Sequence, residues 1–160
     1  MIQPLLVGAA VLLVSLLTYG VATALLVQLV VWLIRRGYHG VLFWKNVVVM
    51  MVVTFITAGM HLAQIALWAV ALLICGELAT FERAFYASAQ SYTALGYGDV
   101  LLSERWHLLG PLEAINGLLL FGLSTAVMFA VMSHLIANRL RHQNSGSGIG
   151  KHCAGRTVSR

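Results

Sequence analysis

Charge is what this chain has least of. No Asp, Glu, Lys or Arg occurs before Arg35, and charged residues make up 9% of the 160. Soluble domains carry about a quarter. With 60% hydrophobic residues and a mean hydropathy of +0.88, the scarcity excludes an ordinary soluble domain. It leaves an integral membrane protein, one domain with a short tail. Cysteine is also scarce. Cys75 and Cys153 supply neither a metal nor a disulfide framework, and the topology below puts them on opposite sides of the membrane. Met1 to Pro4 lack Lys and Arg, and the apolar run behind them outlasts the roughly 7–15-residue core of a signal peptide. It reads as a retained helix. That helix has no ladder of Arg or Lys, which excludes a voltage sensor of that type. No Ser-His-acid arrangement, phosphate loop or cluster of metal ligands is present, so no enzyme is expected.

What the chain does have is long apolar runs. Leu5 to Ile34 is long enough for a helix of about 45 Å, against a hydrocarbon core of about 30 Å. Ser15, Thr18, Thr23 and Gln28 can bond to backbone or to neighbouring helices, and Gly20 with Ala24 would allow close helix packing. A short basic, aromatic loop follows, Arg35 to Lys45. The second run, 46–75, carries His61 and Gln64 near its middle. A mid-membrane His is a functional candidate in gating or pH sensing; the structural alternative is a neutral imidazole bonded to a neighbouring helix or to Gln64. The third run, 111–138, starts with Pro111, which suits a first helical turn, and carries Glu113, for which Arg83 or Arg105 is a candidate partner. From Asn144 the chain is rich in Ser and Gly and reads as a flexible tail.

The net charge of +5 does not point to nucleic acid. Five of the ten Lys and Arg lie in the last 22 residues, just after an apolar run, as at a cytoplasmic end. The loop at 35–45 and the tail are the two basic sides. Three spans then place the amino end outside and both basic segments inside a cell membrane.

Between the second and third runs, Thr80 is a plausible N-cap, with Arg83 where a capping box needs Glu or Gln. Residues 81–93 are too short to span, and Phe85, Tyr86, Ala89 and Tyr92 fall at helical spacing. Then comes Thr93-Ala94-Leu95-Gly96-Tyr97-Gly98-Asp99. The two glycines allow backbone angles that a Cβ forbids. This stretch resembles the selectivity filter of the potassium-channel pore family, T-x-V-G-Y-G-D, and the resemblance extends over roughly Asn46 to Arg141. It implies an all-α membrane protein with three transmembrane helices, a re-entrant pore helix and a filter, assembled as a C4 homotetramer in the lipid bilayer. The implied layout is an additional N-terminal helix at 1–36 and a pore domain at 45–141 (outer helix 46–75, pore helix 81–93, filter 94–99, inner helix 111–138). A cytoplasmic tail at 142–160 completes it. The family's filter lies towards the outer face, which agrees with the charge-based topology.

Carried over by position, the carbonyls of Ala94, Leu95, Gly96 and Tyr97 would hold K+, Gly98 matches the second glycine, and Thr93, Gln90, Asp99 and Tyr86 would support the filter. The tyrosine and the residue before Gly96 would point back into packing. Gly117 and Gly122 are hinge candidates in the inner helix; Ser124, Thr125, Met128 and Met132 are candidates for the cavity and gate. No cofactor is expected beyond K+ as the transported ion, and no small-molecule substrate. Ala94 departs from the family's threonine and removes a hydroxyl from the innermost ion site. Gln90 stands where several members have glutamate, and Ala87 where an aromatic would brace the filter. The function implied is passive, potassium-selective conduction. A weakly selective cation channel is the alternative that Ala94 motivates. From another class, a membrane-embedded haem or cofactor protein would need His61 and His134 at matching depth, and a non-conducting modulatory subunit would need a foreign pore to attach to.

Overall fold

The computed structural model describes residues 2–33 and 43–154, with the side chains of Phe43, Lys45 and 138–154 outside the description. The basic loop at 35–45 and its topological reading therefore fall largely outside the described residues. Every regular element among them is helical: α1 (Ile2–Leu33), α2 (Phe43–Ile74), α3 (Phe81–Tyr92) and α4 (Leu109–Ala154). Three segments are long and apolar enough to cross a membrane, Ile2–Leu33, Asn46–Ile74 and Leu109–Ala137. α3, with 12 residues, extends about 18 Å and cannot. The helix that begins at Leu109 does not stop at 138. Its backbone stays helical to Ala154, through the Ser/Gly-rich stretch whose composition reads as flexible. Extending a formed helix adds a hydrogen bond per residue fixed, without the cost of a new nucleus.

The helices are held by three apolar clusters with polar groups between them. At the end remote from Gly96, Leu26 and Val30 of α1 meet Val49 and Val53 of α2 and Val131 and Leu135 of α4. Near the middle, Tyr19, Ile65, Tyr92 and Leu120 join all four helices. At the near end, Trp68 and Leu72 of α2 pack with Ala87 of α3, Trp106 and Leu109. Buried apolar area contributes roughly 25 cal/mol per Å2 against water, but lipid is as apolar as Leu. Within a bilayer, close packing and interhelical hydrogen bonds must therefore hold the bundle.

The polar groups supply those bonds. Ser15 Oγ donates to Gln64 Oε1 at 2.6 Å. Gln64 Nε2 donates back to the Ser15 carbonyl at 3.2 Å and to Thr18 Oγ1 at 3.1 Å. Asn116 Nδ2 donates to Ser15 Oγ at 2.7 Å. One serine of α1 thus joins α2 and α4. Close approach between α1 and α4 is at Gly8, where a Cβ would collide with Leu112. The Gly20–Ala24 pair does not serve this purpose within the chain: Gly20 has open space around it and Ala24 is exposed. Arg105 Nη2 reaches Gln3 Oε1 at 2.9 Å, so the amino end of α1 lies on the same side of the bundle as the loop after Asp99.

Candidate functional site

Two helix ends of one design bracket the site. α2 closes with Gly76 at φ +70°, Gly76 N–H donating to Leu73 O at 2.9 Å and Glu77 N–H to Leu72 O at 3.1 Å. This pair of bonds around a left-handed residue is the Schellman motif. Glu77 then accepts from Ser103 Oγ at 2.8 Å and from the Ser103 backbone N–H, which pins the turn before α3 to the loop after the glycines. Thr80, extended at φ −131°, caps α3 by accepting from Arg83 N–H. The box position is unused by a reciprocal acid, as the Arg83 there dictates.

α3 buries a face of small residues. Ala84, Ala87, Ser88 and Gln90 are buried together with Tyr92, whereas Phe81 and Tyr86 are exposed. Ala87 packs in one cluster with Trp68 and Trp106. α3 ends in the second Schellman motif. Ala94 N–H donates to Ser91 O and Leu95 N–H to Gln90 O, both at 3.0 Å. Here the left-handed residue is Ala94 at φ +56°, in a place usually given to glycine.

From this point the backbone alternates. Ala94, Gly96 and Gly98 have φ of +56°, +57° and +76°, while Leu95 and Tyr97 between them remain outside the positive region. Where the intervening residues are right-handed, such alternation turns successive N–H groups towards one side of the chain. Leu95 and Tyr97 are 58% and 69% exposed, so the packing expected behind them is not supplied by their own chain. Asp99 closes the stretch. Its Oδ1 accepts from Gln90 Nε2 at 2.7 Å and its Oδ2 from Tyr86 Oη at 2.8 Å. The Gln90 amide first, and the Tyr86 hydroxyl second, hold the Asp99 carboxyl below its ordinary value. Thr93 Oγ1 turns back to Ala89 O at 2.6 Å.

The inner-helix residues divide. The Gly117 backbone rests on the last turn of α3, where a Cβ would strike the Tyr92 carbonyl. Gly122 meets open space. Ser124 turns inward: it donates to Phe121 O at 2.9 Å and lies 3.2 Å from His61 Nε2. Thr125 is exposed and donates to Phe121 O at 2.8 Å. Met128 is half-buried against the remote apolar cluster, and Met132 is 51% exposed. Glu113 is 1% exposed. Its Oε1 has no hydrogen-bond partner, and Arg105 is engaged with Gln3 instead. His61 does not bond to Gln64. Its Nδ1 lies 2.8 Å from Tyr92 Oη, and its Nε2 is shared between Ser124 and, at 3.4 Å, Tyr19 Oη. That Tyr19 belongs to this group was not readable from the sequence, because 42 residues separate it from His61.

Three helices of membrane length and a short helix that cannot span, followed by a turn with left-handed residues at every second position, define a multi-pass membrane protein. Residues 60–134, from mid-α2 into α4, match the model of a family described as an ion channel. No curated protein and no solved structure shows significant similarity to the chain.

Proposed function

We propose that four copies of this chain form a potassium-selective channel in the cell membrane, with Ala94, Leu95, Gly96 and Tyr97 presenting carbonyl oxygens to dehydrated K+ on the shared axis. The observation that carries the reading is the alternation of backbone handedness from Ala94 to Gly98. Rings of carbonyls replace a cation's hydration shell only when they face one line. Two further features support it. A single chain supplies a quarter of such a ring, and it leaves Leu95 and Tyr97 without packing, which neighbouring copies would provide. The carbonyl end of α3 is partly negative and stands beside Ala94, where it favours a cation.

Transport is passive, and both basic segments lie on the cytoplasmic side. Gly122, free of neighbours, is the better hinge, whereas Gly117 serves close packing. Purified protein in liposomes is expected to pass K+ more readily than Na+. Equal fluxes would leave the weakly selective cation channel, for which the specific observation is that Ala94 brings no hydroxyl to the innermost ion site.

A further inference from the structure

The geometry points to His61 as a positioning residue for the filter, acting through Tyr92. This rests on the channel reading above. Tyr92 is the last helical residue of α3, two positions before the first carbonyl-bearing residue. It is fully buried and held twice. Its backbone carbonyl abuts Gly117, and its hydroxyl meets His61 Nδ1 at 2.8 Å. Together these contacts fix the height and rotation of the helix end. The carbonyls that would replace a cation's hydration begin two residues beyond this anchored end.

The hydrogen positions on His61 follow from its neighbours. A serine hydroxyl has one hydrogen, and that of Ser124 goes to Phe121 O. That arrangement leaves Ser124 to accept from His61 and assigns the imidazole hydrogen to Nε2. A neutral imidazole then leaves Nδ1 bare, and Tyr92 Oη donates to it. The ring is kept in place by Phe121, with centroids 4.5 Å apart, and by Tyr19 of α1, at 5.4 Å. α2 holds the filter helix through a defined tautomer, and α1 and α4 hold that tautomer.

The test has two readouts. In 15N NMR of the full-length wild type, the His61 ring, assigned by its loss in a His61→Asn sample, should show the Nε2–H tautomer. In liposomes, Tyr92→Phe and His61→Leu should each lower the K+/Na+ permeability ratio by about two- to tenfold, the size expected for one lost hydrogen bond. The double variant should be no worse than either single one, and His61→Asn, which keeps an acceptor near the Nδ1 position, should retain most of the ratio. An Nδ1–H tautomer, or assembled variants with the wild-type ratio, would overturn the inference. A wild type that passes both ions equally would instead sink the proposed selectivity. Total flux then becomes the quantity that Tyr92→Phe and His61→Leu must lower.

Discussion

Ala94 holds φ +56° without a glycine's freedom. For an L-residue this region costs about 1–2 kcal/mol, and the cost is met twice over, since the same residue both ends α3 and begins the carbonyl row. Ala94→Gly should therefore raise the thermal stability of the assembled protein, by about 1 kcal/mol per chain, as read by unfolding in detergent. Ala94→Thr should raise the K+/Na+ permeability ratio by returning a hydroxyl to the inner site. At the other end, the amide of Gln90 and the hydroxyl of Tyr86 depress the Asp99 carboxyl. A depressed carboxylate contributes stability above its unfolded value and loses it only as pH falls through the folded one. The tie is thus intact throughout the neutral range, and flux should be flat in pH on its account. Gln90→Glu would set two carboxyls side by side and one would take up a proton at raised pH; flux measured from about pH 8 to about pH 5 should then change with a single titration. A flat profile in that variant would show that the tie does not bear on conduction.

Among the elements, the glycines of α4 separate packing from freedom. Gly117→Ala drives a methyl group into the Tyr92 carbonyl and should destabilise by about 1–3 kcal/mol. Gly122→Ala meets nothing in its own chain and should stabilise the helix by up to about 1 kcal/mol while altering open probability in single-channel records. Helix number and type were legible in the sequence because uncharged runs of membrane length permit little else. Of the candidate site, the local grouping was legible: Tyr86, Gln90 and Asp99, set together from the sequence, do meet, across 13 and 9 positions. What lay beyond reach was set by contacts distant in sequence. The inward turn of Ser124 depends on His61, 63 positions away. The burial of Ala87 depends on Trp68 and Trp106. Periodicity along α3 marks its aromatics, but shape selects the small face for burial.

At the scale of the whole molecule, all five acidic residues lie between Glu77 and Glu113, on or around the stretch that carries Gly96-Tyr97-Gly98. An assembly with fourfold symmetry would repeat that arrangement around its mouth, four times the Asp99 that is exposed in the single chain. Native mass spectrometry is expected to give four chains, and a monomer would remove the basis for a closed carbonyl ring. The seam on Ser15 has a further consequence, for synthesis. Its α4 partner, Asn116, lies 101 residues downstream. At about 5–20 residues per second, α1 spends roughly 5–20 s in the translocation machinery or bilayer before that partner exists. Thr18 can bond within its own helix, to the Val14 and Ser15 carbonyls, but Ser15 and Tyr19 enter without their interhelical partners, and α1 must rely on its surplus of Leu and Val to stay inserted until α2 and then α4 emerge.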